Sequence, residues 1–258
     1  MSGVLLIKLL AAPALIGLAS VAGRRWGPAA AGLMGGLPLV AGPLLLVLWL
    51  TEGKDFATQV AHAAPAGVWA NIAYMLVAGY ASARWPWYVV IPLAWVFYLA
   101  SALLLNAAGL LDSLWMGLAV LPALWLAATR ALPKPVAPVT PAPLPRTELA
   151  ARMVAAAALV WGLSASSATL GAALTGALAG GPVAATVIPA FTLATLGRDA
   201  TLLVLRGFLT GLMGFAVCFL ILAPGLAVWG AWAAVPALAA GVAAGVLASR
   251  GAARLAVI

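Results

Sequence analysis

Acidic side chains are nearly missing from this sequence: Asp and Glu together number 5 in 258 residues. Charged residues of either sign make up 7%, against roughly a quarter in a soluble domain that must cover its surface with them. That shortage excludes a water-facing exterior over most of the chain. Cysteine is limited to Cys218, alone in an apolar run, which excludes a disulfide framework and a cysteine metal cluster. It reads as a small buried hydrophobe. Histidine is limited to His62, so no metal-ligand set and no credible triad can be assembled, and a phosphate-binding Gly-Lys loop is absent. No cofactor, metal or catalytic residue is expected, and the chain is not read as an enzyme. The 13 basic residues give a net charge of +8, but they form no run or stripe, which argues against nucleic acid as a partner.

What fills the sequence is apolar: 66% hydrophobic residues and a mean hydropathy of +1.17. Lipid is then the solvent, and helix the expected state, because lipid offers backbone groups no outside partner. A barrel would show alternating polar positions, and none is present. A crossing needs about 20 apolar residues, which gives about nine spans. They fall near 3–22, 28–50, 57–82, 86–106, 112–131, 150–167, 171–194, 201–223 and 227–248. One side then receives Arg24, Arg25, Arg84, Arg130, Lys134, Arg146, Arg152, Arg198, Arg250 and Arg254; the other receives Lys54, with Lys8 near the start of the first helix. Basic loops stay cytoplasmic, so the N-terminus is expected outside and the C-terminus inside. Ser20-Val21-Ala22 offers a cleaved signal peptide as the alternative for the first segment. The lack of a basic residue before its apolar run opposes that. The stretch from Leu132 to Pro145, with Pro133, Pro135, Pro138, Pro141, Pro143 and Pro145, reads as an extended linker on the basic side.

The halves on either side of that linker are related. At an offset of 144 positions, set by Gly27 and Gly171, Lys8 meets Arg152, Gly32 meets Gly176, Gly36 meets Gly180 and Pro38 meets Pro182. Without a gap, Gly53-Lys54-Asp55 meets Gly197-Arg198-Asp199, Gly67 meets Gly211, Trp85 meets Trp229 and Pro92 meets Pro236. The helix near 112–131 has no counterpart. Four helices return the chain to its starting side, so this extra crossing turns the second copy over. The expected fold is an all-α membrane protein: repeat 1 over 1–106, a connecting helix over 107–131, the linker over 132–147 and inverted repeat 2 over 148–258.

Two features mark a candidate site. The second helix of each copy is rich in breakers: Gly32 to Pro38 including Gly35 and Gly36, then Gly176 to Pro182 including Gly180 and Gly181. Proline removes a helical hydrogen bond, and glycine pairs let the backbone unwind. Paired interrupted helices at matching positions point to a substrate site in transporters, while small residues also serve close packing. Both readings stay open. His62 and Arg206, moreover, occupy the same repeat position inside spans, about 10 Å beyond their Asp at 1.5 Å per residue. Gln59, His62 and Trp69 share one helical face, as do Arg206 and Thr210. Such charge is costly in lipid and commonly faces a cavity; the alternatives are an Arg206 that snorkels and a neutral His62 bonded to a neighbouring helix. All five acids, Glu52, Asp55, Asp112, Glu148 and Asp199, fall at expected helix ends or loops. Asp55 and Asp199 are expected to cap the helices they begin.

The stretch Ala31-Gly32-Leu33-Met34-Gly35-Gly36-Leu37-Pro38, running on to Thr51-Glu52-Gly53 and Gly67-Val68-Trp69, resembles the GlpM-like family of small bacterial inner-membrane proteins. That resemblance implies an inner-membrane location. The plan of two inverted four-helix units also looks like the drug/metabolite transporter superfamily. The chain lacks the embedded Glu in the first helix of small multidrug exporters, with Lys8 the only charge there, so proton-coupled cation export by that mechanism is not expected. The leading expectation is an inner-membrane transporter, permease or flippase for a small organic anion or an anionic lipid, with a non-transporting scaffold or assembly factor as the alternative. The expected partners are membrane lipids and that anionic substrate, and a homodimer is left open.

Overall fold

A computed structural model of the chain describes residues 3–39, 45, 49, 53–139, 145–167 and 182–256. Every regular element among them is helical, as lipid requires of a backbone that must satisfy its own hydrogen bonds. In chain order, α1 is Gly3–Trp26, α2 Pro28–Gly36, α3 Lys54–Ala81, α4 Trp87–Ala107 and α5 Leu114–Leu126, which continues through a wider turn over Ala127–Ala131. The second half holds α6 Arg146–Ser167, α7 Val183–Thr195, α8 Gly197–Trp229 and α9 Ala234–Ala256. Among the described residues, four helical stretches are long and apolar enough to cross a membrane: Lys54–Ala81, Trp87–Ala107, Leu114–Ala131 and Gly197–Arg254. The last spans 58 residues and is folded back on itself. Gly214 lies against Gly241 and Gly225 against Ala233, so α8 and α9 run antiparallel from the turn at Gly230, whose φ is +59°.

Glycine sets several boundaries. Gly27 takes φ +91°, and Pro28 opens α2, where its missing N–H would have had no helical partner anyway. The two Gly-basic-Asp triplets share a backbone solution as well as a sequence: Gly53 turns at φ +94° and Gly197 at φ +79°, each followed by a long helix.

The bundle has a basic end and a far end. Lys54, at the start of α3, donates from Nζ to the Ala227 carbonyl near the end of α8 (3.4 Å). At the other end of the seam, Gly79 lies against Leu202, and Tyr80 donates from Oη to the Ala131 carbonyl (2.7 Å). Helices α3 and α8 are therefore antiparallel. The end of α1 meets the start of α6, where Arg152 donates from Nη1 to Ser20 Oγ (3.4 Å) and stacks over the Phe191 ring. These contacts gather Arg84, Arg130, Lys134, Arg198, Arg250 and Arg254 at one end, with Lys54 at the other. Exposed Trp85, Trp87 and Tyr88 ring the basic end, and exposed Trp115, Trp229 and Trp232 ring the far end, the placement that amphipathic rings take at the two lipid–water interfaces. Between them the outward side of α4 is apolar, with Val96, Phe97, Leu99, Leu103 and Leu104 exposed. Inside, a continuous core is built from small residues on α3 and α8 and from Tyr74, Tyr98, Leu205 and Phe208.

Candidate functional site

The first expected helix break is present. Helix α2 ends at Gly36, and Leu37 turns to extended backbone (φ −70°, ψ 154°), with Pro38 buried behind it. What surrounds this break is protein backbone. A Cβ added to Gly32 would strike the Val204 carbonyl and sit 2.8 Å from the Phe208 nitrogen; one on Gly36 would sit 2.9 Å from the Leu212 nitrogen. From the other side, a Cβ on Gly207 would strike the Ala29 carbonyl and lie 2.8 Å from the Leu33 nitrogen, and one on Gly211 would lie 2.8 Å from the Gly36 Cα. Gly32-x-x-x-Gly36 on α2 and Gly207-x-x-x-Gly211 on α8 thus cross in parallel with their main chains in contact. Small residues at four-residue spacing permit that approach. At Gly35 the nearest neighbour is instead a side chain, the Phe208 ring.

Of the second expected break, the structure describes the side from Pro182 onward, where α7 begins. Gly180 and Gly181 lie outside the described residues. Pro182 is buried, caps α7 in a non-helical conformation (φ −77°, ψ 47°), and its carbonyl accepts from both the backbone N–H and Oγ1 of Thr186, each at 2.6 Å. Thr186 Oγ1 accepts in turn from Trp95 Nε1 (2.8 Å). Tyr74 Oη donates to the Ala185 carbonyl (3.2 Å) and lies 3.4 Å from Thr186 Oγ1. Trp95 sits edge-on between Tyr74 and Tyr98, ring centroids 6.3 and 5.4 Å away. Asn71, buried one turn before Tyr74, extends the polar lining along α3. Pro189 has no N–H to offer the Ala185 carbonyl four residues back, and Tyr74 of α3 supplies the missing donor, while Trp95 of α4 is bound to the Thr186 hydroxyl.

The ionisable pair does not join either break. Arg206 donates from Nη2 to the carbonyls of Leu132 and Pro133, 3.1 Å each, so its guanidinium turns to the linker at the basic end. Thr210, one turn on, is buried and donates to the Gly207 carbonyl (2.8 Å). His62 and Gln59 are exposed on α3. Trp69, on the expected face with them, is half-buried and donates from Nε1 to the Met116 carbonyl of α5 (3.0 Å). The expected caps also differ. Asp199 accepts from Val136 and Ala137 of the linker, and Asp55 stands exposed in the first turn of α3, where its charge still suits the helix N-terminus. Glu148 pairs with Arg152 on α6. No group of three or more potential metal-binding side chains occurs among the described residues.

Sequence reasoning passed over Tyr74, Trp95 and Thr186. The available signal was Asn71-x-x-Tyr74, two polar side chains on one face of an otherwise small-residue helix. No protein-family model, curated protein or solved structure matches this chain. The class defined by its fold is a polytopic helical membrane protein, and its function is argued from its own geometry.

Proposed function

We propose that the chain is an inner-membrane transporter, permease or flippase for a small organic anion or an anionic lipid, built from two inverted four-helix repeats in about nine spans. The observation that carries this reading is the antiparallel packing of α3 against α8, whose sequences match at the 144-residue offset. Equivalent helices running in opposite directions are what inversion requires. The relation is supported also by the end of α1 meeting the start of its equivalent α6. In this reading the basic end is cytoplasmic, the N-terminus is outside, and the substrate passes the Pro182 break beside Tyr74, Trp95 and Thr186. The substrate preference for an anion rests on the net charge of +8 with 5 acids, and not on Arg206, which is engaged by the linker.

A second reading, a scaffold or assembly factor, is favoured by the α2–α8 crossing, where main chains touch and leave no room for a path. Proteoliposomes separate the two. The purified chain should speed dithionite quenching of inner-leaflet fluorescent phosphatidylglycerol, or uptake of labelled organic anions, above protein-free vesicles. Thr186→Val should reduce whichever rate is found. Vesicles indistinguishable from protein-free ones across both assays would leave the scaffold reading.

A further inference from the structure

The start of the proline-rich linker is fastened to two helices at once. Leu132 is buried, at 1% exposure, and lies against Gly79 of α3, where an added Cβ would come within 2.5 Å of its Cδ1. Tyr80, the next residue of α3, donates to the Ala131 carbonyl. On α8, Arg206 holds the carbonyls of Leu132 and Pro133, and Asp199 accepts from the backbone N–H groups of Val136 (3.2 Å) and Ala137 (3.0 Å). Asp199 and Arg206 are seven residues apart, which places them on one face about 10 Å from each other. Their polarities suit the segment between them. Pro133 and Pro135 bring no N–H, so the cation meets bare carbonyls at the start and the carboxylate meets the first consecutive amides beyond the prolines. Each bond has one ionised partner, the kind about twice as strong as a neutral pair. Arg206 and Asp199 do not pair with each other: the ion pair found among the described residues is Arg152 with Glu148.

We infer that Leu132–Ala137 is a strap that fastens the basic end of the α3–α8 seam, with Asp199 and Arg206 as its latch. The strap touches both helices, so separating them at this end requires its release. The far end is built differently: Asp55 and His62, the repeat equivalents of Asp199 and Arg206, are exposed. At the far end α3 and α8 are joined directly, by Lys54 to the Ala227 carbonyl, and no described segment of the linker crosses them there. A rocking motion of the proposed transporter would then be gated at the basic end by whatever loosens the strap. That gating role rests on the transporter reading, whereas the latch itself does not.

The test uses the full-length chain in detergent, with Cys218→Ala and a single new thiol at Leu132→Cys. Maleimide should label this site much more slowly than Lys134→Cys, whose position is exposed. Adding Asp199→Ala or Arg206→Gln should raise the Leu132→Cys rate by about tenfold or more, since each removes two charge-assisted bonds. Leu132→Cys labelling as fast as Lys134→Cys with the latch intact would overturn the strap. A rate unchanged when both latch residues are replaced would overturn the latch. Hydrogen exchange gives a second measurement on the chain with Leu132 in place. The Val136 and Ala137 amides should exchange faster in Asp199→Ala, and unchanged protection would count against the proposal. The buried native Cys218 reports on the overall fold of each latch variant; where it becomes reactive, exchange in the single variants decides. None of these measurements uses transport. Vesicles that move no substrate, together with a latch that behaves as expected, would remove the transporter reading and keep the strap.

Discussion

At Thr186 one hydroxyl joins three elements. It donates to the Pro182 carbonyl, accepts from the Trp95 indole and lies beside the Tyr74 hydroxyl. Thr186→Val keeps the shape and removes all of this, leaving the indole N–H without its acceptor in a part-buried site. Interhelical hydrogen bonds in membranes average about 0.6 kcal/mol, with a maximum near 1.7. The expected loss is therefore roughly 1–2 kcal/mol, read as a lower midpoint of thermal unfolding in detergent, with Trp95 fluorescence altered. Thr186→Ser, which restores the hydroxyl, should recover most of it. Equal stability of the Val and Ser variants would show that the methyl packing matters and the bonds do not. Charge in a span was legible from sequence at Arg206; its partners were not. A guanidinium seeking carbonyls gives no local sign of which ones it finds, and the linker lies 73 and 74 positions away. Thr186 was illegible for the opposite reason: its hydroxyl bonds four residues back, to Pro182, as Thr192 does to Ile188, and nothing local shows that it also accepts from Trp95.

Among the elements, the break in α2 was readable because Gly35, Gly36 and Pro38 act through the local backbone. The partner of that helix was not, because Gly32-x-x-x-Gly36 states only that something approaches closely. The crossing with α8 sorts the glycines into two kinds. Around Gly32, Gly36, Gly207 and Gly211 an added methyl meets main chain, which cannot yield without moving a helix. At Gly35 it meets the Phe208 ring, a buried side chain that must repack but whose shift need not move a helix. Alanine raises intrinsic helix propensity by about 1 kcal/mol over glycine, so the size of the net loss depends on the neighbour. Gly207→Ala and Gly32→Ala should destabilise by about 1–3 kcal/mol, the usual cost of overpacking, while Gly35→Ala, which displaces a ring and not a main chain, should cost less. Thermal unfolding of the three variants checks this. A Gly207→Ala variant as stable as Gly35→Ala would mean the backbones are not in contact.

For the whole molecule, the proposed inverted repeat and the charge distribution together predict one orientation. The triplets Gly53-Lys54-Asp55 and Gly197-Arg198-Asp199 begin α3 and α8 with the same positive-φ glycine, yet α3 and α8 run in opposite directions. One triplet must then face each side of the membrane if both helices cross it. Lys54 sits among few other basic residues, while Arg198 shares its end with Arg84, Arg130, Lys134, Arg250 and Arg254. Short loops rich in Lys and Arg remain cytoplasmic, so the proposed arrangement puts Arg198 inside and Lys54 outside. In the proposed arrangement the unpaired helix α5 would provide the odd crossing that reverses the second copy, and the strap that follows it lies against the start of α8. Single cysteines at Lys54 and Arg198, each in a Cys218→Ala background, should therefore react oppositely with an impermeant maleimide. The Lys54 position should label on intact cells, and the Arg198 position only after permeabilisation. Lys134→Cys serves as a marker for the basic end and should follow Arg198. Labelling of both triplets from the same side would reject the inverted arrangement even if each helix spans the membrane. The reverse pattern, Arg198 outside and Lys54 inside, would keep the inversion and reject the charge rule as the determinant of its direction.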